Sequence, residues 1–345
     1  MTWIKGFIGV VAVLVALVGC GLKAGQYEKA VNTSVSEKMS GVSLVAPPRP
    51  MSIDDMRSIN RVNAGWVSVI PFGFSRAGQG NLSYNTSGQW WGERKEGAQK
   101  QIEFAHSLGK KVLLKPHVWV MGQGWPGDYI LDKETEWQKW ERDYKAFILD
   151  YAALAESTGV EMLCVGTEFR QVVKIRPQFW EQLVPEIREV YSGLLTYAAN
   201  WDNYENVTFW GQLDYIGIDA YFPITQDLSN PNADELDEGW ESIINNLKEY
   251  SQRQGRPILF TEYGFRSIDF CAAGHYNVPE TQIRPNQQAQ ADAYASFFRT
   301  IWQESWFAGG FLWKWFTDGD SHGRRDTGFT PQEKMAEEVI AKHYK

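Results

Sequence analysis

Eight short apolar, β-rich runs recur along this chain, and that recurrence constrains the fold more than any other feature. They are Val42–Val45, Trp66–Pro71, Lys111–Val120, Met162–Thr167, Leu195–Ala199, Tyr215–Tyr221, Ile258–Thr261 and Gly310–Trp315. Helical stretches fall between them at Ser52–Asn60, Gly97–Leu108, Glu134–Ser157, Pro177–Tyr191, Asp237–Gln254 and Pro285–Glu304, and Pro331–His343 closes the chain. Continuous apolar runs alternating with amphipathic helices predict a parallel sheet covered by helices. Eight such strands in one domain of about 300 residues favour closure into a (β/α)8 TIM barrel, an α/β fold, over an open doubly wound sheet. Boundary residues agree. Ser52 with Asp54 and Asp55 caps a helix start, Pro177 suits a first turn, and Gly109 and Gly159 sit where helices should stop. The segment from Tyr204 to Leu213 carries no convincing helix, so the fifth unit is the exception.

The first residues are set aside from the fold. Lys5, the apolar run Phe7–Val18 and then Leu17-Val18-Gly19-Cys20 read as a secretory signal too short to span a membrane comfortably. The cysteine at the cleavage point resembles a bacterial lipobox, which implies lipidation of Cys20. Residues 1–20 are therefore expected to be the signal, 21–40 a polar tether, and 41–345 the catalytic domain. The expected location is outside the cytoplasm, anchored in the membrane by lipid. Gly21 lacks the aspartate of inner-membrane retention, which favours the outer membrane.

Composition narrows the chemistry. A net charge of −8 argues against a nucleic-acid partner, which requires clustered Lys and Arg. The histidines, at 106, 117, 275, 322 and 343, show no metal-ligand spacing, and no glycine-rich phosphate loop occurs, so neither metal nor cofactor is expected. Cys164 and Cys271 are read as unpaired thiols. The chain is rich in aromatics, with 16 Trp, 15 Tyr and 18 Phe. Trp90, Trp91, Trp119, Trp125, Trp201, Trp313 and Trp315 lie at or just after strand ends, where flat rings suit the apolar faces of sugars.

In such barrels the C-terminal strand ends carry the chemistry. The fourth strand ends at Glu168 and the seventh at Glu262, each an apolar run stopping at a carboxylate. Two carboxyl groups across one mouth suit glycoside hydrolysis, one as a neutral acid and the other as an ionised nucleophile; a gap of about 5–5.5 Å permits a covalent intermediate. The third strand adds Lys115, His117 and Trp119 on one face by two-residue alternation. Lys115, Arg170 or Arg266 is placed to keep the nucleophile ionised.

At these positions the chain resembles clan A glycoside hydrolases, which implies Glu168 as acid/base and Glu262 as nucleophile. Tyr221, in Asp219-Ala220-Tyr221-Phe222-Pro223, resembles the tyrosine that hydrogen-bonds the nucleophile. Trp313 resembles the tryptophan flooring the central sugar subsite, with Trp315 its rival. More narrowly, the chain resembles glycoside hydrolase family 113, characterised chiefly as β-mannanases. The resemblance rests on Gly41-Val42-Ser43-Leu44-Val45-Ala46-Pro47-Pro48, Lys115-Pro116-His117, Gly166-Thr167-Glu168-Phe169 and Thr261-Glu262-Tyr263-Gly264. One departure stands out: Thr167 occupies the place of the asparagine that in most of the clan contacts the sugar 2-hydroxyl. Either Thr167 makes that contact, or Asn200, Asp202 or His117 takes it over.

The resulting expectation is a monomeric retaining hydrolase of β-1,4-mannan or glucomannan, with Lys115, His117, Trp119, Arg170, Asn200, Tyr221 and Trp313 binding the polysaccharide. The alternatives are a non-catalytic surface glycan-binding lipoprotein and a cell-envelope glycan transglycosylase.

Overall fold

The computed structural model describes residues 34–225, 229–274, 276, 278–317 and 327–344. Cys20 with its signal, most of the tether, His275 and His322 lie outside the described residues. Eight parallel strands close into a barrel. In chain order the elements are β1 (Met39–Leu44), α1 (Ile53–Met56), β2 (Trp66–Val69), β3 (Phe72–Arg76), β4 (Gln79–Tyr84), α2 (Lys95–Ser107), β5 (Lys111–Leu114) and β6 (His117–Met121). Then come α3 (Glu134–Thr158), β7 (Met162–Thr167), α4 (Arg170–Ile175), α5 (Pro177–Val190), β8 (Leu194–Asn200), β9 (Tyr215–Asp219) and α6 (Ala233–Gln254). The chain ends with β10 (Ile258–Tyr263), α7 (Gln287–Arg299), β11 (Phe307–Trp315) and α8 (Met335–His343). Around the barrel the order is β1-β11-β10-β9-β8-β7-β5-β2, so the (β/α)8 expectation holds.

Inside the barrel, Met39, Trp66, Leu113, Met162, Cys164, Ala198, Leu259, Ala308 and Phe311 pack together. Gly41 makes room for this plug, since a Cβ there would stand 2.4 Å from the Phe311 ring. A second, larger apolar layer lies between strands and helices, where Trp140, Tyr144, Phe169 and Trp180 pack ring against ring. Many of the tryptophans are consumed in this way.

Two proline breaks shape the mouth. β2 ends before Pro71 and β5 before Pro116, because proline offers no N–H to the ladder. Both chains bend together and pair again as β3 and β6. Val69 opposes Leu114 before the break, and Phe72 opposes His117 after it, three residues on in each strand. β4 joins antiparallel to β3, giving a three-stranded sheet in the order β4-β3-β6 that stands as a wall above the barrel. The single third strand expected over Lys111–Val120 is thus two strands in two sheets, and Lys115 is set apart from His117 and Trp119 by the break.

Other boundaries differ modestly. The expected helix at Ser52–Asn60 is one α turn, capped by Ser52 in a capping box with Asp55, followed by a 3-10 stretch over Arg57–Val62. The last two helices start later than expected, at Gln287 and Met335. Between β8 and β9 only 3-10 turns occur, at Tyr204–Asn206 and Trp210–Gln212. Cys164 and Cys271 are both free and buried. No described helix is long and apolar enough to cross a membrane.

Candidate active site

Glu168 follows the last residue of β7, and Glu262 is the next-to-last residue of β10. In both places the parallel register slips just before the carboxylate, between Cys164 and Thr167 against β8 and between Phe260 and Glu262 against β9. Such irregularities bend a strand and re-aim the next side chain. Glu168 itself has φ of 53°, a left-handed backbone costing a non-glycine residue ~1–3 kcal/mol. Its N–H still donates to the Ala198 carbonyl at 2.8 Å, and Phe169 N–H donates to the Tyr197 hydroxyl at 2.9 Å, which hold the turn.

Glu262 sits in a dense polar setting. Lys115 Nζ donates to its Oε1 at 2.6 Å, and the Tyr221 hydroxyl donates to its Oε2 at 2.7 Å. The same ammonium donates to Asp219 Oδ1 at 2.9 Å, which also accepts from Thr261 Oγ1 at 2.8 Å. Lys115 and Asp219 are fully buried. An isolated buried ammonium costs several kcal/mol, and two carboxylates offset that cost. Burial opposes the charge on Lys115, yet Asp219 and Glu262 outweigh it and the ammonium titrates above the usual lysine range. His117 Nε2 stands 3.6 Å from Glu262 Oε1, and burial and then Lys115 hold the imidazole well below its ordinary value, hence neutral.

Glu168 has a sparser polar setting. Its Oε2 accepts one hydrogen bond, from Trp125 Nε1 at 2.7 Å. Burial first, then the charges of Asp219 and Glu262, push its carboxyl well above the usual carboxylate range. Two carboxyls with divergent surroundings are the usual physical basis for an acid paired with a nucleophile.

Two cavities meet at this pair. One, of about 440 Å3, is lined by Arg170, Asn200, Trp201, Asp202, Tyr221 and Tyr276, among others. The other, of about 350 Å3, is lined by Phe72, Trp90, His117, Trp119 and Thr167 on the side of the small sheet. Trp125, Glu168, Glu262 and Trp313 belong to both, so one cleft passes over the carboxylates and continues on either side.

A model of glycoside hydrolase family 113 matches residues 49–334. The chain belongs to glycoside hydrolase family 113. A β-mannanase of this family from Alicyclobacillus acidocaldarius, solved in complex with ManMIm, is similar at 25% identity with a TM-score of 0.77, over 89% of this chain and 97% of that one. A β-1,4-mannanase of family 113, at 24% identity and a TM-score of 0.75 over 89% and 99% of the two chains, shares the fold. So does a Ruminococcus gnavus β-glucuronidase, at 13% identity and a TM-score of 0.61, over 91% of this chain and 52% of that one. No curated protein matches.

In this family 113 O-glycoside hydrolase, the structure brings Lys115, His117, Trp119, Arg170, Asn200, Tyr221 and Trp313 to the cleft or to the carboxylates within it. Arg170 does not pair with Glu262. It pairs with Asp128 and, at 3.2 Å, with Asp202, and its guanidinium lies 4.9 Å from the centre of the Trp125 ring. Arg266 does not serve Glu262 either; its Nε donates to the Thr327 carbonyl. Trp315 is not a sugar floor, because it is fully buried with its Nε1 donating to Ser58 Oγ. Trp91 is buried as well, whereas Trp90 and Trp119 are 52% and 50% exposed. Thr167 and His117 line the small-sheet side of the cleft, while Asn200, bonded to Asp202 at 2.7 Å, lines the other. Sequence reasoning gave Asp219 no role. Its place two residues before Tyr221, at the end of an apolar strand, was the available signal. The bond from Trp125 to Glu168 had no signal, since it spans two loops. Among the described residues no group of His, Cys, Asp and Glu is placed to hold a metal ion.

Proposed function

We propose that this hydrolase is a retaining, endo-acting β-1,4-mannanase acting on mannan or glucomannan. The observation that carries this reading is the cleft running past Glu168 and Glu262 in both directions, which lets a chain lie across the pair with sugars on either side. The similarity to a family 113 β-mannanase supports the choice of sugar. Glu168, kept protonated by its surroundings, gives its proton to the glycosidic oxygen as the bond to C1 breaks. Glu262, ionised beside Lys115 and Tyr221, forms a new bond to C1. Water then adds to C1, its proton passes to Glu168, and the bonding pair returns to Glu262, so configuration is retained. Trp313 and Trp125, common to both halves of the cleft, stack against the sugars flanking the scissile bond. We further propose that the enzyme works outside the cytoplasm, tethered by lipid on Cys20; the N-terminal sequence supports this.

The test is reducing-sugar release by the domain without its first 40 residues across mannan, glucomannan, galactomannan, xylan, cellulose and mixed-linkage glucan, with Glu262→Ala as control. Release from the mannans as internal fragments, lost by about 10⁴-fold or more in the variant, is the expected result. Wild-type turnover in Glu262→Ala, or a first-formed product of inverted anomeric configuration, would overturn it.

A further inference from the structure

Lys115 is shared between two carboxylates, only one of which reacts. Glu262 and Asp219 are Cα partners across β10 and β9, and the same Nζ reaches both, at 2.6 and 2.9 Å. Thr261, immediately before Glu262, fixes the same Asp219 oxygen from the strand carrying the nucleophile. The other oxygen, Asp219 Oδ2, is buried with no hydrogen-bond partner among the described residues. A fully buried carboxylate is expensive to keep, so this one calls for a role.

The charges through the reaction supply one. In the resting enzyme Lys115 is balanced by Glu262. In the glycosyl-enzyme Glu262 is an ester and carries no charge, which would leave a buried ammonium uncompensated at the intermediate. We propose that Asp219 is a positioning residue that keeps Lys115 in place and neutralised while Glu262 is esterified. The inference rests on the retaining reading above. The groups facing Asp219 are Lys115 from the segment between β5 and β6, Cys164 and Glu168 from β7 and its end, Tyr197 from β8, Tyr221 on its own segment, and Glu262 from β10, with His117 beside Glu262. Burial and then the charge of Glu262 raise Asp219 to about 7 against the pull of Lys115. The Asp219 charge also contributes to the upward displacement of Glu168.

The experiment compares Asp219→Asn with wild type for the pH dependence of kcat/KM on mannan, whose leaving group needs the proton of Glu168, and separately for the burst of dinitrophenol from dinitrophenyl β-mannobioside. Folding is checked by melting. Loss of the negative charge weakens proton retention on Glu168, which must be protonated to act, so the alkaline limb moves to lower pH by about half a unit or more. The burst shrinks because the glycosyl-enzyme is less stable, and kcat/KM falls about tenfold or more. An alkaline limb and burst that match wild type, at whatever overall activity, would reduce Asp219 to a structural part and overturn the inference. If Asp219→Asn fails to fold, Thr261→Val gives the decision. It removes one donor from Asp219, raises the pH at which that carboxyl ionises, and must move the limb the same way by less; an unmoved limb there is equally fatal. Glu262→Ala is measured alongside. Its inactivity combined with an unmoved limb defeats the Asp219 inference alone, whereas its full activity defeats the reaction scheme as well.

Discussion

The two glutamates of this mouth are alike in sequence setting and unlike in surroundings. Each ends an apolar strand after a slip in register, yet Glu262 is gripped by an ammonium and a phenol whereas Glu168 accepts a single hydrogen bond, from an indole N–H. The difference teaches that role follows from neighbours: in the proposed reaction Glu168 serves as acid and Glu262 as nucleophile because Glu262 has an ammonium and a phenol to stabilise its negative charge and Glu168 has only an indole.

The sharpest way to break that contrast is Glu168→Ala. Turnover of mannan is expected to fall by about 10³-fold, the scale of a lost general acid. Release of dinitrophenol in the first turnover is expected to be nearly unchanged, because that leaving group needs no proton. Azide is expected to restore the second step. Rapid-mixing kinetics on both substrates decide the matter, and equal losses on the two would reassign the residue.

Next in size is Lys115→Met, which leaves Asp219 and Glu262 facing each other without a cation. Breaking a buried pair in this way costs about 3–5 kcal/mol, and kcat/KM is expected to drop by about 10²-fold as the two carboxyls come to share a proton. A melting temperature equal to wild type would show that the cluster is not held as described.

The smallest change tests the other glutamate. Trp125→Phe keeps a ring in the cleft and removes the donor to Glu168. That bond favours the ionised carboxylate, so its loss raises the carboxyl further and moves the alkaline limb of kcat/KM to higher pH, opposite to Asp219→Asn. Activity at the optimum is expected to fall less than about tenfold. A downward shift would mean that the indole does something other than stabilise the anion.

The barrel was legible because it is written in periodicity. Runs such as Met162–Thr167 and Ile258–Tyr263 are buried along their whole length and read as strands without help from context. The small sheet was hidden because Phe72–Tyr84 is interrupted by Gly73, Gly78 and Gly80 and reads as loop. Its pairing depends on two chain segments bending together, which no local window records. Within the site, both glutamates and Tyr221 were found from strand ends and resemblance. The partners of charged groups were less legible. Arg170 turned to Asp128 and Asp202 through loops whose approach is decided by tertiary packing, and Asp219 stands two residues before Tyr221 with nothing in the local sequence to show its lysine.

The register slips before Glu168 and Glu262 bear on how such an enzyme changes over time. Side chains on a strand point alternately to its two faces, so one residue gained or lost between Cys164 and Glu168 would turn that carboxylate from the cleft toward the helix layer while the barrel stayed closed. Substitution is far cheaper here than a change of length. A lineage can rewrite the composition of these strands extensively and keep its chemistry, provided the spacing of the last few residues is conserved. An attempt to graft either glutamate onto another barrel must carry the irregular turn along with it.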